Sequence, residues 1–259
     1  MRIITNADDF GQDDDTVTAT TECFEVGALT SASIMPRMAA TQRAIDFARQ
    51  RPDLSFGVHL TFVRENESTG ESPLCSRADV PELTDVDGRC LPSDTVRWRA
   101  LFNRVSVEQI EREMRAQIEL VRDHGIPISH VDSHGHLHKF GPFREALRRT
   151  LPDYGIARVR SAQDVYMTKP IKSPTYWFGG RWRRQLQSSF QTTEHLFMPG
   201  GHDEGWGKNI LDHVEGHTLE VGVHPGHAQA WRDAERREIL AFAAEAIRRG
   251  HTLVGWNKL

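Results

Sequence analysis

Short apolar runs of β character alternate along this chain with longer segments of helical period. That alternation constrains the fold more than any other feature. Residues 2–6, 54–60, 128–132, 157–160, 219–223 and 252–256 read as strands. Between them, residues 16–26 carry a helical pattern followed by Gly27, a natural residue for ending a helix. Further helices are expected over 39–49, 106–124, 142–150 and 232–249. The second of these opens with Ser106 and Gln109 in capping-box spacing and closes at Gly125, and the last is closed by Gly250. Strand and helix in strict turn predict a parallel α/β architecture. At 259 residues the chain has the length of one α/β barrel, since such barrels often run to about 250 residues as a single unit. Two long stretches break the pattern, 63–103 and 161–217, and both are expected as long loops. No repeat, low-complexity tract or linker divides the chain into two domains.

Composition narrows the class further. Charged residues at 26% and hydrophobic ones at 38% are ordinary for a globular protein and exclude a disordered chain, a collagen and a coiled coil. The formal net charge of −4 argues against a large sequence-independent nucleic-acid footprint, which needs a basic face. Cys23, Cys75 and Cys90 are an odd number without zinc-ribbon spacing and read as incidental thiols in a reducing cytoplasm. The first residues contain no apolar leader, and no stretch approaches the roughly 20 apolar residues of a membrane span. The expectation is a soluble cytoplasmic protein, with homo-oligomerisation left open.

The chemistry concentrates at predicted strand ends. Four histidines and an aspartate fall within His130-Val131-Asp132-Ser133-His134-Gly135-His136-Leu137-His138. Strand C-termini are where α/β folds place catalysis. Imidazole with carboxylate suits a divalent metal such as Zn²⁺, Mn²⁺, Co²⁺ or Mg²⁺. Asn6-Ala7-Asp8-Asp9-Phe10-Gly11 follows the first strand, and its adjacent carboxylates repel unless a cation lies nearby. The competing reading, that one of them caps the next helix, is weakened because Asp13, Asp14 and Asp15 already supply caps. Phe56-Gly57-Val58-His59-Leu60-Thr61 ends an apolar strand in one histidine, and Val221-Gly222-Val223-His224-Pro225-Gly226-His227 does so again. Taken alone, His59 reads equally as a core histidine, and His224 as a ligand, an acid or a turn residue.

These four blocks, in this order, resemble the YdjC family of carbohydrate deacetylases. The resemblance rests on residues 6–11, 57–61, 130–138 and 224–226. It implies a single-domain distorted (β/α) barrel of the TIM type, binding one divalent metal ion and hydrolysing the N-acetyl group of an amino sugar. It puts Asp9, His59 and His134 on the metal, makes Asp8 the proton acceptor and suggests His224 as the acid. The chain departs from the family at Gly135, where another histidine is usual, and in the two long segments, which carry no alignable motif.

The mechanism this implies is metal-assisted amide hydrolysis of a small N-acylated sugar or glycoconjugate. His130, Asp132 and His136 are expected as a second layer that fixes tautomers and orients ligands. Arg158, Arg160, Trp177 and Trp206 are candidates for holding substrate, set against an equally good reading in which they pack the loop or face solvent. The helix over 232–249 mixes Arg with Glu235, Glu238 and Glu245 and reads as a charged outer face. Two rival functions stay open: a metal-dependent phosphoesterase on a sugar phosphate or nucleotide, suggested by His134-Gly135-His136, and a non-catalytic metal-site binding protein.

Overall fold

A computed structural model of the chain describes residues 1–64, 71–200 and 205–259. Parallel strands curl into an open barrel: β1 (Arg2–Phe10), β2 (Ser31–Ile34), β3 (Ser55–Leu60), β4 (Ile128–Ser133), β5 (His195–Phe197) and β6 (Thr218–Val223). Their spatial order is β4-β3-β2-β1-β6-β5, and every pair is parallel. A two-residue strand, β7 (Thr252–Leu253), pairs with the start of β1. The wall between β4 and β5 is made by extended chain: Val131 bridges Val159, and Val165 bridges Phe197. The result is one α/β domain with a half-barrel flanked by helices, which bears out the parallel architecture expected from the alternating pattern and the distorted TIM-like barrel implied by the family resemblance.

Helices cover the outside because each presents an apolar stripe to the sheet. α1 (Asp14–Glu25) and α2 (Thr41–Gln50) flank β1 and β2. Asp13 accepts the Thr16 amide at 2.8 Å and caps α1, so Asp8 and Asp9 are released from that duty. α4 (Val107–Arg122) starts at Ser106, whose Oγ accepts the Gln109 amide. α5 (Gly141–Thr150) and α8 (Ala230–Arg248) complete the set read from sequence. Phe10, Phe24, Phe47 and Phe56 stack between β1, β3 and the helices over them.

Four expectations are corrected. β2 carries Ser31-Ala32-Ser33-Ile34, too small and polar to announce a strand, yet it is fully buried with partners on both sides. Residues 157–160 make single bridges rather than a named strand. The segment 63–103 contains α3 (Ser93–Leu101), while 161–217 contains α6 (Pro174–Gln187), β5 and the short α7 (Trp206–Asn209), so neither is merely loop. Residues 65–70 and 201–204 of those segments lie outside the described residues. Finally, β1 runs on to Phe10 and takes Asp8 and Asp9 into its frayed end.

Candidate active site

Side chains alternate along a strand, so Asp8 and Asp9 should face opposite sides of β1. The register breaks between Ala7 and Phe10, and Asp9 adopts a left-handed backbone with φ 57°. This conformation costs on the order of 1–3 kcal/mol for a non-glycine residue and persists only where the surroundings enforce it. The kink brings both carboxylates to the same end of the barrel, against His59.

Asp9 is the focus. Its Oδ1 lies 3.4 Å from His59 Nε2 and 3.1 Å from His134 Nδ1, and its Oδ2 accepts a bond from Arg232 Nη2 at 2.7 Å. Burial raises its pKa, but the imidazoles of His134, His224 and His59 outweigh that and hold the carboxyl well below its usual range. The three side chains offer one oxygen and two nitrogens within 4.8 Å of one another. His59 and Asp9 are each 2% exposed and His134 13%, so the cluster opens on the His134 side.

His59 is aimed by Asp132, whose Oδ1 lies 2.8 Å from Nδ1. Burial raises Asp132, but the charges of Arg160 and His59 keep it far below the carboxylate range, so its oxygens only accept. In a neutral ring the proton belongs on Nδ1, facing Asp132, and the Nε2 lone pair then faces the Asp9 oxygen. Two acceptors face each other there, an arrangement relieved by a cation or an added proton.

Arg160 is the electrostatic hub of the barrel interior. It is fully buried and bonds Asp8 through both terminal nitrogens at 2.5 and 2.6 Å, Asp132 at 2.9 Å and Glu220 at 2.8 Å. Burial lowers its pKa, but the three carboxylates raise it well above the normal guanidinium value. Gly222 leaves the room, since a Cβ there would strike Met198 and approach an Arg160 nitrogen. The expectation of a substrate contact for Arg160 is thereby corrected: its donors are spent inside the protein. Asn6 adds a bond to Asp8 Oδ1 at 3.0 Å and ties it to Ser33.

His224 stands across from Asp8, its Nε2 3.9 Å from Oδ2. Glu235 holds the other ring nitrogen at 3.1 Å and the His224 amide at 2.7 Å. Burial lowers the imidazole's pKa, while Glu235, then Asp9 and Asp8, raise it to a net value of about 8. Both Glu235 and Arg232 sit on α8, one turn apart and buried. Their end of this helix is thus no outer face, as the sequence had suggested. The signal that could have found them is their i, i+3 spacing directly after the His224-Pro225-Gly226 turn.

The remaining candidates separate. His130 lies one layer deeper in the barrel, stacked on Trp256 at 4.8 Å and bonded to Ser129, with burial pushing its pKa down to about 3. Its described hydrogen bond reaches none of the three clustered side chains. His136 follows Gly135 in a left-handed turn (φ 54°) and borders a cavity that His138, Lys139 and Ser161 also line. Trp206 is fully buried between Phe197 and Phe242, a core residue and no substrate platform. Trp177 is 72% exposed and donates its indole N–H to the Ile171 carbonyl. Arg158 is half-buried beside the Gln191 bridge, at the far edge of the run that carries Arg160.

Comparisons with known proteins identify relatives of this chain. The family described as YdjC-like protein matches residues 2–250. A protein named carbohydrate deacetylase from Listeria monocytogenes serotype 4b is 34% identical over 96% of this chain and 89% of its own length. Another of the same name from Brevibacillus brevis is 28% identical over 88% of this chain and 82% of its own. A crystal structure from Enterococcus faecalis V583, provisionally named a cellobiose-phosphate cleavage protein, superposes with TM-score 0.75 at 22% identity, covering 99% and 98% of the two chains. The match over nearly the whole chain settles the kinship: this protein belongs to the YdjC-like family.

Proposed function

We propose that the protein is a metal-dependent hydrolase that removes an N-acetyl or related acyl group from an amino sugar or glycoconjugate. The observation that carries this reading is the convergence of Asp9, His59 and His134 beside a second carboxylate, Asp8, and an imidazole, His224. The names of the curated relatives support the substrate class.

The residues fit a divalent cation. Asp8, Asp9, Asp132 and Glu220 are at most 2% exposed, and the guanidiniums buried with them are those of Arg160 and Arg232. Four carboxylates against two guanidiniums leave an excess of negative charge that burial makes costly. Part of it is relieved by protonation, because burial lifts Glu220 to about 7 against the pull of Arg160. Asp9, His59 and His134 would hold the cation, three protein ligands of the oxygen and nitrogen types that Zn²⁺, Mn²⁺ or Co²⁺ accepts, with Mg²⁺ as the harder alternative. The chemistry such a cation supplies when bound is polarisation of an acyl oxygen and acidification of water.

The chain's own groups do the rest. Asp8 takes the proton of the attacking water, and Arg160 fixes the orientation of its carboxylate. His224, charged at neutral pH and held by Glu235, presents Nε2–H to the departing amine, which leaves only once protonated. Asp132 keeps His59 in the ligating tautomer.

A two-metal phosphoesterase is less favoured. The second group of potential ligands, Asp8, His59 and Asp132, already carries Arg160 on both of its carboxylates, so a cation stands there without any metal. The test is a release assay on metal-loaded protein with N-acetylated sugars, nucleotide sugars and glycolipids. Free amine in step with acetate is expected. Release of inorganic phosphate without amine would overturn the proposal.

A further inference from the structure

The helix α6 has two contrasting faces. Trp182 and Leu186, one turn apart, point inward: Trp182 lies against Phe140 with ring centres 5.0 Å apart, and Leu186 is fully buried. Tyr176, Gly179 and Trp182 of this face line the cavity that His136 borders. The opposite face carries Trp177, Arg181 and Arg184 at steps of four and three residues, and all three are exposed. Trp177 is 72% exposed and its neighbour Phe178 41%. Just before the helix, Ile171 is 60% exposed between Lys169 and Lys172, which are exposed as well. The Trp177 indole N–H is tied to the Ile171 carbonyl at 3.1 Å, so the turn and the start of the helix form one projection.

The protein satisfies neither half of that projection. Single exposed apolar residues are ordinary, but a group of them held together marks an interface. The charge is as one-sided as the apolar surface. Between Asp164 and Glu194 the chain carries five cations and no acidic residue, in a protein whose net charge is −4. Arg183 pairs with Asp164, whereas among the described residues Lys169, Lys172, Arg181 and Arg184 make no ion pair. Burial and then Arg181 lower the pKa of Arg144 on α5, so one more cation stands beside the helix. A tryptophan-bearing apex ringed by Lys and Arg is the composition of a peripheral membrane anchor. A second copy of this chain fits poorly, because a two-fold contact through α6 would set these cations against themselves.

We infer that the outer face of α6, with the turn before it, docks on the surface of an anionic membrane. Ile171, Trp177 and Phe178 enter the headgroup layer, and Lys169, Lys172, Arg181 and Arg184 meet the lipid phosphates around them. The attachment is peripheral and reversible, since no helix among the described residues is long and apolar enough to cross a membrane. The cavity that His136 borders then lies directly behind the docked face. This role is independent of the chemistry proposed for the strand ends. It also gives Trp177 a partner other than substrate.

The experiment is flotation of the full chain with vesicles of phosphatidylcholine, with and without about one quarter phosphatidylglycerol. Binding is expected to the anionic vesicles and to be at least about tenfold weaker to the neutral ones. It should fall as salt rises from about 0.1 M to about 1 M, where screening shortens the reach of charge from roughly 10 Å to 3 Å. Each cation at an anionic surface strengthens attachment about fivefold, so Arg181→Gln with Arg184→Gln is expected to weaken it roughly twenty- to thirtyfold. Lys169→Gln with Lys172→Gln should do the same by a comparable factor. Trp177→Ser should weaken it about tenfold by removing apolar area from the headgroup layer. Ile247→Ala is the control: that residue is also 60% exposed, but it sits at the opposite end of the barrel, near the end of α8, and its loss should change nothing. Melting temperatures equal to the wild type's show that the variants are folded. Failure to float with anionic vesicles overturns the inference, as does equal binding to both kinds or undiminished binding by Trp177→Ser. A dimer in solution that Trp177→Ser dissociates would assign the face to a second copy and overturn it as well.

Discussion

Asp8 and Asp9 are neighbours in sequence with different surroundings, and the different work proposed for them follows from what each touches. Asp9 faces two imidazoles and one guanidinium, while Asp8 is gripped by Arg160 and Asn6. Asp8→Asn is expected to keep metal affinity, measured by calorimetry, and to lower turnover by about 10²- to 10⁴-fold, the usual contribution of a general base. His59→Ala and His134→Ala are expected to lose the metal. His224 predicts a pH dependence. Its folded pKa is raised to about 8 by Glu235, Asp9 and Asp8, so its donor form is complete below about 6.5 and is lost as pH rises through about 8. Turnover should fall across that window. Glu235→Gln removes the largest raising influence and should move the alkaline limb to lower pH; a limb that stays in place would remove His224 from the acid role. The blocks around Asp8, His59, His134 and His224 were legible because each is a strand end with an unusual polar residue. Arg160 and the Arg232–Glu235 pair were not legible in their roles. Arginine on a strand or helix looks the same whether it faces water or three buried carboxylates, and only the topology distinguishes the two.

The elements bring these residues together by removing side chains as much as by adding them. Gly57 on β3 faces the His130 ring on β4, and a Cβ there would lie 2.5 Å from it. With Trp256 stacked on its other side, that ring has nowhere to go. Gly57→Ala is expected to destabilise the protein by about 1–3 kcal/mol through overpacking, read by urea unfolding. At the helix ends the effects are smaller: Asp13→Ala should cost about 1 kcal/mol by uncapping α1. An unchanged unfolding midpoint in Gly57→Ala would mean that the β3–β4 layer is looser than described. The long helices and apolar strands were readable because their periods are strong. β2 and β5 were not: one is built of serine and alanine, the other is three residues long, and both exist because neighbouring strands satisfy their backbones. α3 and α6 were hidden in stretches rich in proline, glycine and charge. Trp206 misled for a related reason, since an indole in a glycine-rich segment suggests a sugar platform, whereas β5 and α8 fold over it as core.

For the whole molecule, the curled sheet turns residues more than 200 positions apart into neighbours, as Asp9 and Arg232 illustrate. It also collects an excess of buried negative charge inside the barrel, and under the proposed function that excess would make the folded state a better metal ligand than the unfolded chain. No helix among the described residues is long and apolar enough to cross a membrane. Ligand linkage then predicts that a divalent cation at a hundredfold excess over its dissociation constant stabilises the fold by about 2.7 kcal/mol, visible as a raised melting temperature that Asp9→Asn abolishes. The most direct test of the central claim is amine release from an N-acetylated sugar by protein stripped with chelator, then reloaded with one equivalent of Zn²⁺, Mn²⁺, Co²⁺ or Mg²⁺. The account predicts no release from the stripped protein and recovery on addition of a single equivalent of at least one of these ions. Undiminished release from protein verified to be free of metal would contradict it.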